Sequence, residues 1–300
     1  MKQTEEQFTD YACIKLENAA LALWVTRDVG PRIIGLQLTN GDNLLAVLPK
    51  ATATTPNGNV FQFRGGHRLW HAPEDPERTY ALDDTAVTIT SLPKGIQTTQ
   101  AVETLTGIEK QMHINLPNDA AHVVIDHTLI NHGAWPVELA PWAITQFKPG
   151  GFAILPQSSS DTGLMPNRQL SIWPYTYLNS PCLQWSDRFI FVQAAMQDEK
   201  LKLGWPNPNG WLGYWVDDTL FIKRATYQPD AEYYDFGSSS ECYCDDRFLE
   251  LETLGPRTIL APGTAVTHRE EWYLYGDVQL EAKETAVINY LSQSGIIDRL

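Results

Sequence analysis

The run HVVIDHTLI, residues 122–130, sets Val123, Ile125 and Leu129 at alternate positions, with Asp126 and Thr128 between them. A period of two is the mark of a strand with one face turned to a core. The same grammar recurs along the chain in ALALWVTRD (20–28), RIIGLQL (32–38), AVTITSL (86–92) and TLFIKRATY (219–227). These runs are rich in Val, Ile, Thr and aromatic residues and are bounded by Gly, Pro, Asn and Asp, as strands and turns are. The 19 Pro and 20 Gly are scattered throughout and interrupt any helix of ordinary length. The exception is EAKETAVINYLSQ (281–293), where Ala286, Ile288 and Leu291 suggest a short C-terminal helix. No repeat period and no linker divides the chain. The expectation is an all-β protein, one domain over 1–300, built as a large antiparallel sandwich.

Composition narrows the partners. With 43% hydrophobic and 19% charged residues, the 300-residue chain reads as globular. A net charge of −14 repels phosphate backbones, so nucleic acid is not an expected partner. A small neutral ligand suits such a protein better. No apolar run is long enough to span a bilayer, and the polar start MKQTEEQFTD lacks the apolar stretch of a signal peptide. The four cysteines, Cys13, Cys182, Cys242 and Cys244, match neither a CxxC motif nor a zinc spacing. They read as free thiols of a cytoplasmic protein. No GxSxG, P-loop, dinucleotide fingerprint or HExxH motif occurs, and no cofactor is expected.

Aromatic residues are abundant, with ten Trp, twelve Tyr and ten Phe. Flat rings with polar edges suit the C–H faces of sugars, although most single aromatic residues serve a core. Between Pro156 and Ser186 alternation fades while Trp173, Tyr175, Tyr177 and Trp185 accumulate, so this long segment is expected to face a ligand.

Two segments carry the candidate chemistry. FQFRGGHRLWHAPEDPE (61–77) gathers Arg64, His67, Arg68, Trp70 and His71 around a Gly-Gly pair. Histidines supply protons and arginines grip hydroxyls, so a sugar pocket is the expectation. The i,i+4 histidines would suit zinc on a helix, but Arg68 stands where a zinc protease has its Glu. Gly66 and Pro73 also leave little room for a helix, and no metal is expected. In ECYCDDRFLELETLGP (241–256), strand alternation sends Leu249 and Leu251 to one face and Glu250 and Glu252 to the other. Paired carboxylates raise one pKa and make a usable acid or base, whereas a solvated strand face would also tolerate them. Glu241 lies in the acid- and tyrosine-rich run just upstream, and Lys223 or Arg224 must face inward from its strand.

The order of four segments, DVGPRIIGLQLTNGDNLLAVL (28–48), FRGGHRLWHAPE (63–74), LINHGAWPVELAPW (129–142) and FLELETLGPRTILAPGTAVTHREEWYLY (248–275), resembles the galactose mutarotase-like superfamily. The likeness is to its aldose 1-epimerase-like bacterial branch, over about residues 12–275. It implies a β-supersandwich with a sugar cleft across the concave sheet. It also implies that Glu252, in Leu251-Glu252-Thr253, acts as general base, with Glu250 as its neighbour. The family's acid histidine follows a PV-x-L strand, and here Trp142 stands about where it would be. The family's LHGG-type segment is absent as well.

Two functional expectations follow. One is aldose 1-epimerase-type ring opening, with Glu252 as base and His71 or His67 as acid. The other is a non-catalytic sugar or sugar-acid binding module; beside these two, hydrolase or lyase chemistry on an oligosaccharide rests on fold analogy alone. In either case Arg64, Arg68, Trp70, Trp142, Lys223 and Glu241 are the expected ligand contacts.

Overall fold

The computed structural model describes residues 1–117 and 120–296. Its strands, numbered β1–β23 in chain order, pair antiparallel into two large sheets and one hairpin. The first sheet opens with β1 (Lys2–Phe8), β2 (Tyr11–Glu17), β3 (Leu21–Thr26) and β4 (Arg32–Leu38). It continues through β7 (His67–Ala72), β12 (Val137–Phe147) and β21 (Leu249–Leu254). It closes with β20 (Ser240–Cys244), β17 (Leu201–Trp205) and β14 (Ser171–Ile172), while β22 (Thr258–Leu260) adds to β12. The second sheet runs β15 (Leu183–Trp185), β16 (Phe189–Gln193), β13 (Phe152–Pro156), β18 (Trp211–Val216) and β19 (Thr219–Arg224). Then follow β23 (Ala265–Tyr275), β11 (His122–Asn131), β10 (Ile108–Asn115), β9 (Gly95–Thr99) and β8 (Thr88–Leu92). The hairpin is β5 (Val47–Thr54) with β6 (Val60–Gly65).

Strand β11 has its odd-numbered residues from Val123 to Asn131 buried and the intervening ones half-buried. The main core lies between the sheets and takes residues from Ile14 to Leu274, with Trp205, Trp272, Tyr214, Phe147 and Phe221 among its largest members. Each such side chain removed from water stabilises the fold by roughly 1.5–3 kcal/mol. The C-terminal helix spans Glu284–Gln293 and presses Val287 and Leu291 onto the outer face of the second sheet, beside Phe152, Phe189 and Leu220. Among the described residues, no helix is long and apolar enough to cross a membrane.

A polar patch interrupts the apolar layer between the sheets. Glu270 accepts hydrogen bonds from Lys223 Nζ (2.9 Å), Thr253 Oγ1 (2.5 Å) and Trp272 Nε1 (2.8 Å). Next to it, His67 Nε2 and His127 Nε2 lie 2.7 Å apart. All these groups are buried, and the mutual pairing is what makes their burial tolerable.

Candidate functional site

Five strands of the first sheet carry the site on the face turned away from the second sheet. Leu249 and Leu251 of β21, Leu201 and Leu203 of β17, and Cys242 and Cys244 of β20 enter the inter-sheet core. Period two therefore sends Glu250, Glu252, Lys202, Glu241 and Tyr243 to the opposite face. Register brings them into line: Gln146, Glu250, Tyr243 and Lys202 follow one another across four strands. In the neighbouring row, Arg68, Ile144, Glu252 and Glu241 do the same.

Lys202 is the hub of this face. Its Nζ lies 2.7 Å from Glu241 Oε2 and 2.9 Å from Glu252 Oε2. It also sits over the rings of Trp142 (4.6 Å) and Trp173 (4.9 Å). Burial alone would depress the lysine, but Glu241 and Glu252 together outweigh it and hold the ammonium well above its ordinary range. Trp142 Nε1 donates to the same Glu252 oxygen at 2.7 Å. Glu252 Oε1 is buried without a hydrogen-bond partner. Glu241 is fully buried, and burial, with Glu252 and Asp235 nearby, pushes its carboxyl well above the usual range in spite of Lys202. Burial also raises Asp235, which a hydrogen bond with Glu241 partly offsets. One row along, Glu250 accepts from Gln146 Nε2 (2.9 Å) and Arg68 Nη2 (3.2 Å). Its carboxyl is pushed up to about 7 by burial, with Arg68 opposing and Glu252 adding. Arg68 in turn stacks over Trp70 at 4.2 Å.

Above these groups opens a cleft with two compartments. The larger, of about 510 Å³, is walled by Trp142, Trp173, Tyr80 and Pro73, with Glu74, Asp235 and Lys202 as its charged groups. The smaller, of about 180 Å³, shares Glu74, Tyr80, Trp142 and Lys202 and reaches Arg68, Glu250, Tyr175 and Lys200. Apolar walls with a few placed polar groups are the usual make-up of a small-molecule site. Gly204 explains how Trp173 comes so close: a Cβ there would meet Ser238 Oγ at 2.5 Å and the Trp173 ring at 3.2 Å. Asp235 and Phe236 both adopt positive φ (52° and 58°), a sparsely populated conformation that concentrates at functional sites.

The structure brings together Glu252, Glu250, Glu241, Arg68, Trp70 and Trp142 from among the residues singled out in the sequence. It does not bring the histidines to them. In β7, Arg68 and Trp70 face the cleft, so His67 and His71 face the second sheet. His67 meets Thr145 (2.8 Å) and His127, while His71 lies 3.6 Å from Glu103 beside Lys110. The expected pairing of Glu252 with His71 or His67 is therefore corrected: the histidines point to the opposite face of the sheet. Burial lowers both imidazoles, His67 well below its ordinary value. Lys223 also belongs between the sheets, on Glu270 and the carbonyl of Leu251 (3.0 Å). Arg64 stands at the end of β6, 3.6 Å from Asp83, which Arg32 also holds at 2.7 Å. The Gly-Gly pair serves backbone packing, since a Cβ on Gly65 or Gly66 would strike the carbonyl of Ala46 or Ile33 at 2.0 or 2.2 Å. The long aromatic segment does reach the cleft through Trp173 and Tyr175, whereas Tyr177 and Trp185 are exposed and line neither compartment.

Lys202 and Tyr80 escaped the sequence reading as site residues, and Asp235 entered it only as a member of the acid- and tyrosine-rich run. A signal existed for the first: in LKLGW (201–205) a lysine alternates with leucines, which places it opposite the core. His67, His127 and Glu270 offer three donor atoms within 4.8 Å of one another, a spacing that could suit a metal ion. Both Glu270 oxygens are already engaged, however, and the Lys223 ammonium 2.9 Å away opposes a second cation. The set is better described as a closed hydrogen-bond network.

No family model and no curated protein matches the chain by sequence. Solved structures do match by fold. A galactose mutarotase-like protein from Lactobacillus casei superposes with a TM-score of 0.59 at 12% identity, covering 88% of this chain and all of that one. A protein from Klebsiella pneumoniae, provisionally described as an aldose 1-epimerase, gives 0.60 at 10% identity, covering 98% and 86% of the two chains. A galactose mutarotase-like protein from Clostridium acetobutylicum gives 0.52 at 10%, covering 92% and 98%. The chain has the galactose mutarotase-like fold, an all-β supersandwich.

Proposed function

We propose that the cleft around Glu252 binds a carbohydrate. The observation that carries this reading is Glu252 behind the wall of an aromatic-lined cavity of about 510 Å³: one oxygen of this buried carboxyl is fixed by Trp142 and Lys202, which line the cavity, and the other has no partner. Indole and phenol faces suit the C–H patches of a pyranose, while carboxylates accept its hydroxyl protons. The resemblance of the LET-type strand to that of the mutarotases, and the shared fold, support the same assignment. Thermal unfolding with a panel of hexoses tests it, because a ligand that binds only the folded state raises the Tm by mass action. A hexose should raise the Tm of the wild type, and Glu252→Gln should weaken that ligand by about tenfold or more, roughly 1.4 kcal/mol.

A second reading, aldose ring opening, is favoured by the raised carboxyl of Asp235 in the cleft wall, with the raised carboxyl of Glu241 buried behind it. Glu252 would take the proton of the anomeric hydroxyl as the bond from C1 to the ring oxygen breaks. Asp235 would deliver its proton to that oxygen, and both transfers reverse on reclosure at the other face. Polarimetry of freshly dissolved α-D-glucose tests this directly. Acceleration that is lost in both Glu252→Gln and Asp235→Asn supports it, and an unchanged rate with wild-type protein sinks it while leaving binding intact.

A further inference from the structure

Charge in the larger compartment is out of balance. Glu74 and Asp235 stand at its walls, with Glu241 and Glu252 packed behind Lys202. Four carboxylates thus face one ammonium, and sharing a proton between Asp235 and Glu241 would still leave the space negative. The other cations nearby are already engaged: Arg68 with Glu250, Arg247 with Asp245, and Lys200 over the ring of Tyr175. Those cations also belong to the smaller compartment. Glu74 accepts a hydrogen bond from Tyr80 (2.6 Å) and faces both compartments.

The aromatic walls match this charge. Trp142 and Trp173 present their rings to a cation, and the protein's own Lys202 ammonium occupies such a position between two indoles and two carboxylates. A cation held over an aromatic face gains roughly 0.5–2 kcal/mol, more when water is excluded. A carboxylate- or phosphate-bearing ligand would meet repulsion in the same space.

On these grounds, and resting on the carbohydrate reading above, we propose that the ligand carries an ammonium group: the cleft selects an amino sugar, with its cation between Glu74, Asp235 and the indole faces. D-Glucosamine, D-glucose, N-acetyl-D-glucosamine and D-glucuronate, titrated into the full chain by calorimetry near neutral pH, separate the possibilities. The expected order places glucosamine at least about tenfold tighter than glucose, with glucuronate weakest. In Glu74→Gln, an exposed position where folding is not at stake, the glucosamine-to-glucose ratio should fall towards one. Raising the salt concentration should narrow the ratio in the wild type. Glucose or N-acetylglucosamine binding as tightly as glucosamine would overturn the inference and leave sugar recognition standing. If none of the four sugars binds, the carbohydrate reading fails first and this inference with it.

Discussion

Replacing Lys202 by Met strips the ammonium from between Glu241 and Glu252 and leaves two carboxylates buried side by side. Breaking a buried ion pair by removing one partner costs about 3–5 kcal/mol, because the remaining charge has no compensation. Chemical denaturation of Lys202→Met should show a loss of that order, partly recovered in the double variant Lys202→Met/Glu241→Gln. A second buried group gives a pH dependence. Burial tends to raise Glu103, but Lys110 and His71 outweigh it and hold the carboxyl down at about 2. A depressed carboxyl contributes stability that is present above its unfolded value and lost as pH falls through the folded one. Between pH 5 and pH 2 the wild type should therefore lose up to about 3 kcal/mol more than Glu103→Gln, read from urea midpoints. Equal losses in the two proteins would contradict the pairing of Glu103 with Lys110.

At the scale of the element, β21 and β7 mark what the sequence could and could not disclose. In β21 the alternation of Leu249 and Leu251 with Glu250 and Glu252 was legible, because the leucines reveal which face meets the core. In β7 every residue is buried, so no apolar–polar contrast marks the faces. Read as a loop, HRLWH collects two histidines, an arginine and a tryptophan in one place. Folded as a strand, it divides them, Arg68 and Trp70 to the cleft and His67 and His71 to the inter-sheet layer. His71→Ala should thus destabilise the fold by about 1–3 kcal/mol while ligand affinity in the cleft changes less than twofold. A large loss of affinity at unchanged stability would contradict this division. Gly204 of β17 makes the opposite prediction. A valine there forces Ser238 and the Trp173 ring aside, so Gly204→Val should weaken sugar binding several-fold.

Across the whole molecule, the all-β architecture and the C-terminal helix were readable because both rest on periodicity, which survives without knowledge of partners. The composition of the cleft was readable only in part, since Lys202, Tyr80 and Asp235 are gathered from separate segments by strand order and loop path. Lys223 shows the same limit from the other side. Its strand required one inward cation, but only the sheet order places that cation between the sheets on Glu270 and away from the ligand face. The fold thus keeps two buried charge clusters on opposite sides of β21, one structural and one open to a cleft. Calorimetric titration of hexoses and D-glucosamine into the wild type and Glu252→Gln tests the central claim most directly. Saturable binding to the wild type, weakened about tenfold or more by the substitution, is the result predicted. A sugar bound equally well by both proteins would contradict the assignment of the site to Glu252, and no binding by the wild type would contradict the assignment to carbohydrates.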